Sequence, residues 1–294
     1  MADDLKNAKP AGGLDFISGD GSVVDLRDAK SLIVDPSKVK GALAAGDPAN
    51  PYSSEDLDLV IRSIHSPGWS SKDPAHLIGQ LEALGSDGTK GTTVGQGYEA
   101  WSNMRTREND SELIREAART GGVGFPGAGQ QSTKDCTLFA LANAAGLPYG
   151  VVAARAAEMI SSAGWRSPAE QAAPEGVFKK GLSGYEVIIL AEAFGQAQVV
   201  SRTEFATTLD GGRPILLGVV LTEKAENDKY SQGYHEVVLT KSFRYKDETY
   251  FEMMDSNQPA TARRYLTEKE LGAIMFENGV AFRPDPLTTP KLFR

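Results

Sequence analysis

The sequence has very little cysteine and histidine: one cysteine, Cys136, and three histidines in 294 residues. With one cysteine the chain cannot form an intrachain disulfide, and structural zinc sites built from several cysteines are excluded as well. Stability must therefore come from packing. A composition with 40% hydrophobic residues is sufficient for a sizeable core.

The sequence also lacks an excess of positive charge and lacks long hydrophobic runs. Its formal net charge is -8, which argues against a nucleic-acid partner or an anionic membrane surface, since both reward clustered Lys and Arg. No apolar run approaches the roughly 18 to 20 residues that span a bilayer, so no membrane span is predicted. The first residues, MADDLKNAKPAGG, do not resemble a secretory signal. We expect a cytoplasmic protein, or one secreted without a classical signal peptide.

Three regions differ in composition. Residues 1–52 are rich in Gly, Asp, Ala and Pro and predict a flexible arm with one hairpin or short helix. Residues 53–120 predict a helical accessory region, with helices in SSEDLDLVIRSIH, DPAHLIGQLEALG and NDSELIREAARTGG and a loop in GSDGTKGTTVGQG. Residues 121–294 predict a larger folded domain.

The third region places helices before strands. The helices are predicted at 136–145, 149–163 and 184–195, and the strands at 214–221, 235–243 and 248–255. Helices followed by a mostly antiparallel sheet indicate an α+β fold.

The sequence context excludes several motifs that would otherwise indicate a nucleotide, phosphate or metal site. GVGFPG at 122–127 matches a dinucleotide-binding pattern but follows a helix and contains Pro126, and GTKGTT at 88–93 has the wrong order for a phosphate-binding loop. His65 and His76 have no acidic or histidine neighbours at metal-ligand spacing. The sequence therefore predicts neither a metal site nor a cofactor.

The segment STKDCTLFALANAAG gives Cys136 a special position. Ser132 or Thr133 is the predicted N-cap, which places the cysteine in the first turn of a helix. Backbone N–H groups at a helix start favour negative charge, and they help to convert a thiol into a thiolate. Taken alone, a single cysteine is more often a small buried side chain.

A base and an orienting acid follow at plausible positions. His235 is predicted to open a strand, HEVVLTKSF, and the next strand returns through the turn YKDE to end at Asp255, with Asn257 close behind. In an antiparallel hairpin these two ends are adjacent, so Asp255, or alternatively Asn257, can orient the imidazole. The competing interpretation is a histidine bonded to a loop carbonyl. Strand alternation turns Glu236 to the opposite face, where we expect it to be solvated or salt-bridged.

Gln130 supplies a candidate oxyanion donor. Five residues separate it from Cys136, so its amide could act with the Cys136 N–H on a tetrahedral intermediate. Gln131 is the alternative if the loop register differs.

This order of Gln130, Cys136, His235 and Asp255 resembles the papain-like cysteine peptidase superfamily. DCTLFALANAAGLPYGVVAARAAEMI is similar to its small bacterial branches, which include the bacteriocin-processing peptidases and related Cys-His domains. The resemblance covers about 121–285 and implies a catalytic domain in which a helix bearing the cysteine packs on the sheet. The cysteine is not followed by Gly-Ser-Cys-Trp, so substrate preference is not implied.

The resemblance implies a thiol hydrolase that cleaves a peptide or isopeptide bond of a protein or peptide substrate. Two alternatives stay open: a glutamine deamidase or transglutaminase-type enzyme acting on a host protein, and a papain-like binding module without activity. We also hypothesise that a secretion system recognises the 1–52 arm and exports the chain as a bacterial effector.

Overall fold

The computed structural model describes residues 15–17, 23–25, 83, 93–120, 135–163, 182, 184–224, 230–258 and 262–284. Its helices are α1 (Val94–Arg107), α2 (Ser111–Arg119), α3 (Cys136–Ala145), α4 (Tyr149–Ala163), α5 (Gly184–Glu192), α6 (Phe205–Asp210) and α7 (Glu268–Ile274). Its strands are β1 (Asp15–Ile17), β2 (Val23–Asp25), β3 (Gly195–Val200), β4 (Ile215–Lys224), β5 (Tyr230–Tyr245), β6 (Glu248–Met254), β7 (Arg264–Thr267) and β8 (Gly279–Pro284).

The main sheet has six strands in the order β3-β8-β4-β5-β6-β7, and every neighbouring pair is antiparallel. Helices together with this sheet confirm the predicted α+β class. In the arm, β1 and β2 pair as the predicted hairpin.

The helices predicted in SSEDLDLVIRSIH and DPAHLIGQLEALG lie outside the described residues, apart from residue 83. The other predicted helices and strands are present, but several short elements were missed. The helix predicted to continue to residue 195 ends at Glu192, and β3 begins at Gly195. No separate sequence pattern predicted β3, β7, β8, α6 or α7, because elements of four to seven residues have too few positions to show a period. β5 begins at Tyr230, so His235 lies inside the strand and not at its start.

Helix α1 begins where a loop was expected. Thr93 forms a capping box with Gln96, because each side chain bonds to the backbone N–H of the other residue. The prediction of a loop through Gly97 is therefore wrong from Val94 onward. In α2 the N-cap is Asp110, and its side chain accepts bonds from the N–H groups of Glu112 and Leu113.

Helix α1 packs directly on the main sheet. Trp101 is 2% exposed, its Nε1 donates a 2.8 Å hydrogen bond to the Val220 carbonyl, and Met104 is fully buried beside it. Both belong to the cluster of buried side chains that includes Val219 and Val237 of the sheet. Residues 94–107, assigned from sequence to an accessory region, thus share one hydrophobic core with the sheet.

The β5–β6 hairpin contains two irregularities. Lys246 and Asp247 form its two-residue turn with φ of 47° and 67°, the left-handed pair typical of a type I′ turn. Further along, Leu239 pairs with Met253 and Lys241 pairs with Glu252, so Thr240 is an extra residue, a β-bulge. The Thr240 hydroxyl donates to the Glu252 carboxylate at 2.8 Å.

Within the described ranges, no individual helix combines the length and apolar character needed to cross a bilayer. The pair Cys136–Ala145 and Tyr149–Glu158 meets that criterion only when joined across a 119° bend.

Replacing Trp101 with alanine should show how much α1 contributes to the core. The change removes a buried indole and its hydrogen bond, so we expect the free energy of unfolding to fall by about 3 to 5 kcal/mol. Urea unfolding, monitored by circular dichroism, measures this change in the free energy of unfolding. Val94→Ala on the same helix, where the side chain is 38% exposed, should cost no more than about 0.5 kcal/mol. Equal losses in the two variants would contradict a shared core.

Candidate active site

Cys136 is the first residue of α3, and it is partly exposed. Its N-cap is Asp135, whose side chain makes no capping bond, so the prediction of Ser132 or Thr133 as N-cap is wrong. Asp135 is buried and accepts a hydrogen bond from the Tyr149 hydroxyl instead. The Tyr149 ring stacks on Phe139 of α3 with centroids 4.2 Å apart. These contacts hold the cysteine end of α3 against α4.

His235 lies on β5 opposite Val219, and only 6% of the residue is exposed. Its Nε2 lies 2.7 Å from Asp255 Oδ1, in a buried contact. The imidazole also hydrogen-bonds to the Cys136 thiol. Because Nε2 faces the carboxylate, Nδ1 is the ring nitrogen available to the sulfur.

Asp255 follows directly after β6 and is held from three sides. Besides facing His235, its Oδ1 accepts the backbone N–H of Asn257 at 2.8 Å, and its Oδ2 accepts from Arg264 Nη1 at 2.8 Å. The carboxylate is therefore fixed in position and paired with charge. Arg264 was not predicted, because it lies on β7, a strand of four residues that carried no sequence signal.

Asn257 also lies near His235, but its contact with the imidazole is longer than that of Asp255. Its Nδ2 lies 3.3 Å from His235 Nε2. When Nε2 carries the proton that Asp255 accepts, an amide N–H group cannot bond to it, since both are donors. Asp255 is thus the better candidate for orienting the ring, and Asn257 acts mainly through its N–H on Asp255.

The buried charges favour a thiolate-imidazolium pair. Burial by itself would raise the pKa of the Cys136 thiol, but the hydrogen bond and charge of His235 outweigh it and lower that pKa. Burial likewise opposes protonation of His235, yet the bonds to Asp255 and Cys136 raise the pKa of the imidazole to about 9. Despite burial, His235 holds the pKa of Asp255 below its ordinary value. Each of the three shifts therefore favours the charged form of its group.

Two further groups contact the sulfur. The backbone N–H of Glu236 and the side chain of Thr137 hydrogen-bond to Cys136, and both lower its pKa. Adjacent backbone and hydroxyl donors stabilise a thiolate in the same way as a helix start does. Sequence reasoning missed both roles, since neither follows from residue type or spacing.

The prediction that the Glu236 side chain is solvated or salt-bridged is wrong: the side chain is buried, and no described residue forms a salt bridge with it. Only 8% of the residue is exposed, and burial together with the nearby thiolate charge raises the pKa of its carboxyl to about 8. The alternation argument gave the correct opposite face, but that face is covered.

The predicted oxyanion donors Gln130 and Gln131 lie outside the described residues, so their role stays a prediction. The backbone N–H of Cys136 is one of the first N–H groups of a helix, which have no partner within the helix. In the part of the chain that the structure describes, no group of three or more His, Cys, Asp and Glu side chains is arranged to hold a metal ion.

The rate at which iodoacetamide alkylates Cys136 should depend on pH differently from that of a free thiol. Because the thiol pKa is lowered, the rate should begin to rise at a lower pH than the rate of a free thiol does. A second rise is expected near pH 9, where His235 loses its proton and the thiolate loses its counter-ion. Mass spectrometry of the Cys136 peptide measures the rate, with a small-molecule thiol in parallel. A profile matching that of the free thiol would contradict the ion pair.

Asp255→Asn and Asn257→Ala should separate the two candidate orienting residues. Removing the Asp255 charge lowers the His235 pKa, so alkylation of Cys136 at about pH 6 should slow by about tenfold or more. Asn257→Ala should slow it by less than about threefold. Thermal unfolding checks that both variants fold. A larger effect of Asn257→Ala would reverse the assignment.

This arrangement has no counterpart detected by sequence comparison: no protein-family model matches the chain, and no curated protein matches it.

Proposed function

We propose that this protein is a cysteine-dependent amide hydrolase of the papain-like type, which cleaves a peptide or isopeptide bond. The observation that carries the proposal is the buried sequence of contacts from the Cys136 thiol through the His235 imidazole to the Asp255 carboxylate. A nucleophile, a base bonded to it and a group that orients the base are the three roles that acyl transfer through cysteine requires.

The order and placement of the elements support the papain-like assignment. The cysteine begins helix α3, and α3 contacts β5, the strand that bears the histidine. The acid follows the end of the next strand, β6. We propose residues 121–294 as the catalytic domain, with helix α1 packed against its sheet.

In the proposed mechanism the Cys136 thiolate attacks the carbonyl carbon of the scissile amide, and the carbonyl oxygen becomes an oxyanion. The Cys136 N–H and Gln130, which resemblance assigns to this role, would stabilise that oxyanion. The His235 imidazolium then gives its Nδ1 proton to the leaving nitrogen, the C–N bond breaks, and a thioester remains.

The neutral imidazole next takes a proton from water as the water oxygen attacks the thioester. Collapse of the second tetrahedral intermediate releases a carboxylic acid and restores the thiolate-imidazolium pair. Asp255 keeps Nε2 protonated throughout, so that Nδ1 is the nitrogen that exchanges protons. Glutamine deamidation and acyl transfer to an amine would use the same thioester and differ only in the bond attacked or in the final acceptor.

Two expectations are based only on the amino-acid sequence: that the protein is cytoplasmic or secreted without a classical signal peptide, and that a secretion system exports it. We retain the proposal that residues 1–52 are recognised by a secretion system, and a reporter fused to these residues tests it by export.

Mass spectrometry of a proteome incubated with the wild-type protein or with Cys136→Ala tests the proposed reaction. We expect new peptide termini or released isopeptide branches with the wild type, and at least about a thousandfold fewer with the variant, because the nucleophile is absent. Wild-type-dependent conversion of glutamine to glutamate, without cleavage, would assign the deamidase alternative instead. Identical spectra in the two samples would contradict both enzymatic proposals and favour the papain-like binding module without activity.

A further inference from the structure

Two buried carboxyl groups, those of Glu236 and Glu277, lie on the same face of the sheet. Glu236 is the cross-strand partner of Gly218, so its side chain leaves the sheet on the side to which a Gly218 Cβ would point. Glu277 reaches the same place, since its Oε1 lies 3.0 Å from the position of that Cβ. Glycine at 218 therefore allows the Glu277 carboxyl to lie close to the backbone.

In the described part of the chain neither carboxyl is paired with a charge on its own face of the sheet, although the His235 imidazolium acts on Glu236 from the opposite face. Among the described residues no Lys or Arg forms an ion pair with Glu236 or Glu277, and Glu277 Oε2 is buried without a hydrogen bond. The two residues are 8% and 6% exposed. Burying a carboxyl without a partner is unfavourable, and binding sites are one place where such groups occur.

An aromatic pair borders these carboxyls. Tyr234 lies two residues before Glu236 on β5 and therefore on the same face, and it is 74% exposed. Its ring lies 4.6 Å from the ring of Phe276, the residue before Glu277. The Phe276 N–H donates to the Gly218 carbonyl at 2.9 Å, which fixes this segment on the sheet. Aromatic faces bind the alkyl stems of long basic side chains and attract their charge.

We propose that Glu236 and Glu277, with the Tyr234–Phe276 pair at the entrance, form a subsite for a cationic side chain of the substrate, lysine or arginine, next to the scissile bond. This inference deepens the proposed hydrolase function and rests on it.

The subsite is adjacent to the reacting atoms. The Glu236 N–H bonds to the Cys136 sulfur, and its carboxyl is close enough to interact with the thiolate charge. Without a cation, burial raises the pKa of both carboxyls to about 8. A bound ammonium or guanidinium group supplies the missing charge and favours their ionised forms.

Matched covalent probes test the subsite separately from the chemistry. Capped dipeptidyl acyloxymethyl ketones alkylate a thiolate, which attacks the methylene carbon and displaces the carboxylate. One series carries lysine at either position and the other carries norleucine, which has the same stem length without the charge. We expect lysine at one of the two positions to increase the second-order rate of Cys136 labelling by about tenfold or more.

The variants Glu236→Gln and Glu277→Gln should each reduce the ratio of lysine to norleucine rates towards one, because they remove the carboxylate at nearly constant volume. Glu99→Gln, on the exposed side of α1, removes one charge far from this face and should leave the ratio unchanged. A ratio near one in the wild type would overturn the inference. A lysine preference that persists in both site variants would overturn it too, because it would then arise from the overall negative charge.

Iodoacetamide distinguishes this failure from failure of the proposed function. Fast labelling of Cys136 by iodoacetamide together with a ratio near one leaves the hydrolase proposal standing and removes the subsite. Labelling no faster than that of a free thiol, by iodoacetamide and by both probe series, would overturn both proposals.

Discussion

The candidate site depends on the register of one hairpin. Past the bulge at Thr240, the pairing of β5 with β6 places Asp255 opposite Val237, and hence on the same face as His235, one diagonal step away. Without the extra residue, Asp255 would face Val238 and lie on the side of Glu236. A shift of one residue reverses the face of every side chain in a strand. The bulge therefore determines whether the Asp255 carboxylate lies on the same face of the sheet as the His235 imidazole.

The charges of the site are stable only as a set. Burial opposes the charged form of Cys136, His235 and Asp255 alike, and the charge on each neighbour favours it. The rise of the His235 pKa from 6.5 to about 9 corresponds to about 3 kcal/mol in favour of the imidazolium. Arg264 adds a second positive charge beside Asp255, on the carboxylate oxygen that does not face His235.

Arg264 also connects the site to the helix that precedes it. Its guanidinium lies over the Trp101 ring, 5.7 Å from the centroid, and its Nε contacts Glu108 Oε1 at 3.0 Å after α1. A residue that positions the orienting acid is thus itself held by a part of the chain outside the 121–294 domain. The same helix contributes Trp101 and Met104 to the core. Helix α1 therefore stabilises the hydrophobic core and also holds Arg264 in position beside Asp255.

Local sequence determined a large part of this protein. The apolar run after Cys136 determined a helix beginning at the cysteine, the YKDE turn determined the β5–β6 hairpin, and the helices with three strands determined the α+β class. Residue type together with predicted position, at a helix start and at the adjacent ends of a hairpin, selected Cys136, His235 and Asp255. Tertiary structure decided the rest: the bulge at Thr240, the burial of Glu236 and Glu277, and the place of α1 in the core. These features depend on contacts between residues far apart in the chain. Secondary-structure propensity and hydrophobic periodicity are local properties and do not predict such contacts.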